Sequence, residues 1–288
     1  MTRKQNYKMG WIPDFPDLRD YTPGHAKVKL LTKCLKEKTL PPTVDLRKWC
    51  SPIEDQKDLG SCTAHAVEGV VEYFENKSFG KFINASRLFL YKTTRNLMHL
   101  SGDTGATLKS SLGALVLFGM PPEEYCPYDM ESFDNEPASF CYAFGQNYRC
   151  ISYFRHDPAD LTPSQVLESV RKYLAAGIPS VFGFSVYSSI NQADADGKIP
   201  YPGDNENLLG GHAVASVGYD DSLEVTNRQT GIKTTGALLI RNSWGEGWGE
   251  QGYGWLPYEY VLKGLALDWW SVLRQDWVDT RLFTDDPE

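Results

Sequence analysis

The sequence predicts an α+β fold of two lobes, a helical one followed by a β-rich one, with a chemical site where they meet. Three observations carry this prediction. Between residues 62 and 119, apolar side chains recur at three- and four-residue spacing, the period of helices with a buried face. From about residue 148 the period changes to alternation and short apolar runs bounded by glycine, the pattern of strands. The residues suited to nucleophilic chemistry are divided between the halves: a cysteine at a helix start in the first, a histidine and an asparagine at strand edges in the second.

Three parts follow in order: an N-terminal segment of residues 1–41, a mainly helical part over 42–150 and a β-rich part over 151–288. In the first, WIPDFPDLRDYTPG is dense in Pro and Asp, so it is expected to be extended with turns. KVKLLTKCLKEKT is expected to form a short helix ending before Pro41-Pro42. Such a segment cannot build a core alone. It reads either as a structural arm or as a pro-segment covering a cleft.

VDLRKWCSPIEDQ then leads, as a short extended run, to a helix from Cys62 to about Asn76 whose apolar face holds Val67, Val70, Val71 and Phe74. RLFLYKTTRNLMH reads as a second helix, and a third carries Leu108, Leu112, Leu115 and Val116 and stops at Gly119. MPPEEYCPYD is a turn, and the aperiodic stretch from 130 to 150 reads as loops. NYRCISYFR is a strand, and Thr162-Pro163 opens a helix that Gly177 ends. SVFGFSVYSS is a strand, followed by a long polar loop, INQADADGKIPYPGDNENLLGG. HAVASVGYDD, ALLIRNSWG, GYGWLPYEYV and LALDWWSVLR complete the strands, and glycine at their corners suits a small barrel or a strongly bent sheet.

Composition excludes several classes of function. With 41% hydrophobic and 23% charged residues, the 288-residue chain is expected to be an ordinary globular protein. A net charge of −8 with no basic run argues against nucleic acid or an anionic membrane as partner. No stretch approaches the roughly 20 apolar residues of a membrane span. MTRKQNYKMGWIPDFPD has basic residues but no apolar stretch behind them, so it does not read as a secretory signal; the default expectation is the cytoplasm, with export by a route lacking a cleaved signal left open. Six cysteines form no CxxC pair and no metal-ligand spacing with the five histidines, so neither a metal nor another cofactor is expected.

The chemistry gathers around DQKDLGSCTAHAVEGVVEY. Cys62 follows a tight Gly60-Ser61 turn and opens a helix, where unpaired N–H groups and the macrodipole favour a thiolate. A cysteine nucleophile needs a base for its proton, and the base needs an acceptor to orient its other ring nitrogen. His212 in GGHAV and Asn242 in IRNSWG suit these two roles, and Gly210-Gly211 lets the backbone pass close to a ligand. Gln56, six residues before Cys62, suits the donor that an oxyanion requires, together with the Cys62 N–H.

These residues resemble the papain family of cysteine peptidases over most of the chain from about Pro42 to Arg274. Gln56 and Cys62 form Q-x5-C, GGHAVASVGYDD matches the histidine segment, and NSWGEGWGEQGY matches the asparagine segment without a break. His212 and Asn242 follow Cys62 by 150 and 180 residues, the first at the upper end of the family's usual ~130–150 and the second beyond it, which implies modest insertions before His212 and between it and Asn242. The resemblance implies a papain-like fold, with a helical left lobe, a β-barrel right lobe and a cleft between them. It implies that Cys62 is the nucleophile held as a thiolate by His212, that Asn242 orients His212, and that Gln56 lines the oxyanion hole. It implies that Trp244 shields the His212 hydrogen bond, and that Gly105 and Gly211 face the substrate strand, although Thr104 replaces one of the family's paired glycines. Leu59 and Thr63 replace a Cys and a Trp common in the family; loss of that Cys removes a disulfide and agrees with a reducing compartment. The N-terminal segment resembles the short cover of bacterial members.

The expected function is therefore a cysteine endopeptidase acting on a peptide or protein substrate, with an intramolecular cover from residues 1–41. An exopeptidase or an amidase on the same triad is the neighbouring reading, and a non-catalytic binding module is the reading from another class. His65 lies one helical turn after Cys62, but it matches an aromatic core position in the family and is expected to pack rather than act. His25, His99 and His156 have no motif around them. The glycines from 245 to 254 lack the strand-to-helix context of a phosphate loop. Cys34, Cys50, Cys126, Cys141 and Cys150 read as structural thiols, with a disulfide among the last three left open.

Overall fold

A helical stripe is buried against other helices and a strand face against a sheet, so the two hydrophobic periods sort the chain into two regions. The structure, a computed structural model, describes residues 7–32 and 39–277. The helices of the first half are α1 (Ala26–Leu31), α2 (Cys62–Phe79), α3 (Arg87–Leu97), α4 (Leu108–Phe118) and α5 (Ser139–Gly145), with β1 (Thr43–Asp45) ahead of α2. The second half holds β2 (Tyr148–Arg155), α6 (Pro163–Ala175), β3 (Ser180–Tyr187), β4 (Leu208–Thr226), β5 (Lys233–Arg241), β6 (Tyr253–Pro257), α7 (Tyr258–Leu262) and β7 (Ala266–Trp277).

Helix α2 is the axis of the molecule. It starts at Cys62, after a turn held by the Gly60 N–H donating to Asp103 Oδ1 at 2.9 Å, and ends at Gly80 in the left-handed conformation. Every residue from Cys62 to Tyr73 is buried, rather than one face alone. The reason is its position, with α3 and α4 against it as well as strand β4. Ser86 and Thr107 cap α3 and α4 by accepting the N–H groups of Phe89 and Ser110, and Thr162 with Gln165 forms a capping box on α6.

The strands form one antiparallel sheet in the order β2-β7-β3-β4-β5-β6, with β1 paired to β4. Its path does not close on itself among the described residues, so the second lobe is an open sheet rather than the closed barrel expected. Register shifts between Ser216 and Gly218 and between Asp220 and Glu224 interrupt β4 where it bends. Inside, Trp269 stacks on Phe182 with ring centroids 3.8 Å apart.

Several local expectations change. The stretch from 130 to 150 contains α5 and the start of β2, not loops alone. Seven residues are too few to show a helical period, and α5 is held by its aromatics: Phe140 and Phe144 pack on Tyr125, and Phe144 on Tyr148. A 3-10 helix, Ser188–Ala193, opens the long loop before β4. GYGWLPYEYV is a strand to Pro257 and then α7. KVKLLTKCLKEKT is helical as far as Leu31, and its second half lies outside the described residues. Cys50, Cys62, Cys126, Cys141 and Cys150 are free thiols, so no disulfide joins the last three, and Cys34 lies outside the described residues. Among the described residues no helix is long and apolar enough to cross a membrane, and no cluster of three His, Cys, Asp or Glu is placed to hold a metal.

Behind the first helical turns, Glu68 and Glu72 lie one turn apart, both buried and facing Arg241. Arg241 donates to the carbonyls of Ser51 and Pro52 at 2.7 and 2.8 Å, and it reaches them over Gly69, where a side chain would lie 2.4 Å from its Nε. Burial, and then the charge of Glu72, pushes the Glu68 carboxyl well above its ordinary value, so Glu68 keeps the proton. Glu72 accepts the Ala85 N–H at 3.0 Å, and burial raises its carboxyl as well, against the pull of that N–H and of Arg241. A carboxyl raised in the folded state contributes stability below its unfolded value and loses it as pH rises towards the folded value. Glu68→Gln, which keeps the neutral shape, is expected to match the wild type in thermal unfolding at pH 4.5 and to exceed it by about 2 °C or more at pH 8. Equal differences at both pH values would place the proton elsewhere.

Candidate active site

The site is assembled from the start of α2, the edge of β4 and the turn that follows β5. Cys62 is fully buried, and backbone N–H groups of Ala213, Gly10, Thr63 and Cys62 itself point at its sulfur. His212 lies on β4, opposite Phe184 of β3. Asn242 immediately follows β5, and its Oδ1 accepts from His212 Nε2 at 2.7 Å and from the Ser243 N–H at 2.8 Å. Two donors at one amide atom assign that atom as the oxygen, and this places the imidazole proton on Nε2. Nδ1 is then the basic nitrogen, and it is buried with no hydrogen-bond partner among the described residues. Trp244 stacks on the imidazole at 4.7 Å and 25°.

Gln56 is held by main chain and side chain together. Its N–H donates to the Ser243 carbonyl at 2.9 Å, and its Oε1 accepts from Ser243 Oγ at 2.6 Å. The amide nitrogen is thereby turned inward, where it donates to the carbonyls of Leu59 at 2.8 Å and Lys8 at 3.0 Å. Ser243 is a residue that sequence reasoning missed; its adjacency to Asn242 was the one available signal. Asp103 was missed as well. It binds the Gly60 N–H, the Tyr91 hydroxyl at 2.5 Å and Lys8 Nζ at 2.7 Å, joining the turn before Cys62 to the N-terminal segment.

That segment fills the cleft. Gly10 O accepts the Ala106 N–H at 2.8 Å, the Ile12 N–H donates to Ala106 O at 2.9 Å, and the Trp11 N–H donates to Gly211 O at 3.1 Å. Tyr7 stacks on Trp244 at 4.8 Å and donates to its carbonyl at 2.8 Å. Trp11, although near the N-terminus, is 7% exposed. The glycines singled out in the sequence adjoin this strand, but not all in the role expected. Gly211 supplies its carbonyl. Gly105 supplies space: its φ is +77°, and a side chain there would lie 2.3 Å from Gly10 O, while Ala106 makes the hydrogen bonds. Trp244 supplies a ring face.

With the segment in place, burial pushes the Cys62 thiol up to about 11 and the His212 imidazole down to about 4. Both shifts favour the uncharged forms while the segment is in place. The thiolate expected from the helix start is opposed by desolvation, which outweighs the four backbone N–H groups. His65 is neutral too, lowered to about 3 by burial and then by Arg87; its Nδ1 donates to the Ser61 carbonyl at 3.1 Å and its ring meets Tyr128 edge-on.

Fold and site together define a two-lobed cysteine peptidase. Residues 40–261 match the family described as papain family cysteine protease, and the chain belongs to that family as a papain-like hydrolase. An uncharacterized peptidase C1-like protein of Acanthamoeba polyphaga mimivirus is 31% identical over 278 residues, covering 91% of this chain and 86% of that protein. A cathepsin L-like peptidase of Aedes aegypti is 27% identical over 226 residues; the match takes in 74% of this chain but only 58% of that longer protein. Xylellain, a cysteine protease from Xylella fastidiosa, superposes with a TM-score of 0.73 at 33% identity, over 94% of this chain and 98% of its own. Procathepsin L 3 of the Tenebrio molitor larval midgut shares the fold at a TM-score of 0.61 and 20% identity, over 82% of this chain and 71% of that one.

Proposed function

We propose that this protein is an endopeptidase kept closed by its own N-terminal segment. The observation that carries the reading is a peptide in the cleft. Residues 7–12 pass Trp244, Cys62 and Ala106 in turn, hydrogen-bonded by main chain, with the Lys8 carbonyl on the Gln56 amide. A cleft that takes about six consecutive residues through both ends suits cleavage inside a chain better than removal of a terminal residue. In the open enzyme, His212 Nδ1 takes the Cys62 proton and the sulfur attacks the scissile carbonyl carbon. The oxyanion receives the Gln56 Nε2–H and the Cys62 N–H. The imidazolium, held by Asn242, returns the proton to the leaving amine, leaving a thioester. Water, deprotonated by His212, then releases the acid and frees the thiol.

The test uses fluorogenic peptides blocked at both termini, matched peptides with free termini, and an epoxysuccinyl inhibitor, applied to the wild type and to Cys62→Ala. The expected result is internal cleavage of blocked peptides and covalent labelling of Cys62, both lost in Cys62→Ala. Cleavage of free-ended peptides alone would make the protein an exopeptidase. Absence of both turnover and labelling, in the full-length chain and after removal of residues 1–40, would end the peptidase reading.

A further inference from the structure

A small cavity, with room for one water molecule, lies between α2 and the strands that lead to His212 and Asn242. Helix α2 contributes His65 and Glu68 to its wall, and β4 contributes Ala213, next to His212. The end of β5 and the turn after it contribute Arg241, Asn242 and Ser243. His65 and Glu68 are 4% and 1% exposed. Among the described residues, His65 Nε2 and both Glu68 carboxyl oxygens are buried with no hydrogen-bond partner. A buried polar atom left in that condition is costly, and such atoms are usually satisfied by an ordered water.

The hydrogen-bond roles around the cavity are complementary. The Ser61 carbonyl takes the Nδ1–H of His65 at 3.1 Å, so Nε2 presents a lone pair and needs a donor. The Asn242 amide has the opposite need. Its oxygen is committed to the His212 Nε2–H and the Ser243 N–H, and its NH2 group donates to no protein atom among the described residues. The cations beside the cavity do not supply the missing donor. Arg87 is paired with Glu54 and Glu123, and Arg241 donates to the carbonyls of Ser51 and Pro52. One water meets all three needs: it donates to His65 Nε2 and to a Glu68 oxygen, and it accepts the Asn242 Nδ2–H. Three bonds are the usual number for a buried water.

We propose that Glu68 and His65 are positioning residues, which hold a water in this cavity so that it receives the Asn242 Nδ2–H and braces the amide from behind. The brace fixes the amide plane, so Oδ1 stays on the His212 Nε2–H while the imidazole takes and returns the proton. Neither His65 nor Glu68 is among the residues to which the papain resemblance gives a role. The inference rests on the bond between Asn242 and His212 and, for its effect on turnover, on the peptidase reading.

The test compares the full-length wild type with Glu68→Leu, His65→Phe and Glu68→Gln. Leu and Phe occupy the space and offer a water no polar atom, whereas Gln keeps an oxygen there. The first readout is exchange of the His212 Nε2–H with solvent, measured by NMR on isotope-labelled protein and assigned by its loss in His212→Gln. It is taken relative to the backbone amides of β4, so a general loosening of the fold cancels. Relative exchange is expected to rise about three- to tenfold in Glu68→Leu and His65→Phe, the size of one hydrogen bond's net contribution. In Glu68→Gln it is expected to return to within about twofold of the wild type. The second readout is steady-state kinetics on a short blocked peptide, where the two apolar variants are expected to lose a similar factor in kcat with KM unchanged. Unchanged relative exchange in both apolar variants would overturn the inference, as would equal acceleration in Glu68→Gln and Glu68→Leu. Faster exchange in the apolar variants with no turnover by the wild type would uphold the brace and overturn the peptidase reading.

Discussion

Gly10→Val in the full-length chain is expected to raise kcat/KM towards a protein substrate. Gly10 passes so close to the turn before Cys62 that a side chain there would lie 1.9 Å from Gly60 O, and both sides of that contact are backbone. A Val at position 10 therefore cannot seat, and the hydrogen bonds of Gly10 and Ile12 with Ala106, of Trp11 with Gly211 and of Lys8 with Gln56 are lost together. A cover that occupies the cleft in all but one molecule in a hundred lowers apparent activity roughly a hundredfold, so the gain from releasing it is expected to lie between about tenfold and a hundredfold. Opening also rehydrates Cys62 and His212, removing the burial that favours their uncharged forms. Deletion of residues 1–40 is the companion measurement, with circular dichroism to check the fold. Unchanged kinetics in both proteins would make the segment a structural arm.

Gln56→Ala is expected to lower kcat by about 10²–10³ with little change in KM, the size found when one oxyanion donor is removed. Its amide is aimed by Ser243 through two contacts, one from each end of the Gln56 residue. Ser243→Ala leaves the donor present but lets the amide turn, so its loss in kcat is expected to be smaller, about tenfold. Steady-state kinetics on a short blocked peptide, with the Gly10→Val chain as background so that the cover does not mask the effect, would measure both. A Gln56→Ala chain with unchanged kcat would remove Gln56 from the mechanism.

Much of the chain is legible from residue order alone, because local chemistry and three-dimensional position agree. The starts of α3, α4 and α6 are written in Ser86, Thr107 and Thr162, whose hydroxyls accept helix N–H groups. NSWGEGWGEQGY identifies Asn242 and Trp244, since order and spacing of that kind rarely recur by chance. Where legibility fails, the cause is distance along the chain or shortness. Helix α5 has seven residues and no period to read. Ser243 is 187 residues from the amide it orients, and Asp268 is 257 residues from the Trp11 indole it binds.

The family is determined by the sequence alone, and the sequence alone also proposes the Gln56, Cys62, His212 and Asn242 set and the division into helical and β-rich halves, because each depends on residue type at a fixed local spacing. What occupies the cleft, which protonation states burial favours at Cys62 and His212, and what lies behind Asn242 were decided by tertiary structure. These depend on burial and on contacts between segments hundreds of residues apart. Desolvation at Cys62 comes from the whole surrounding fold, and no local pattern encodes it.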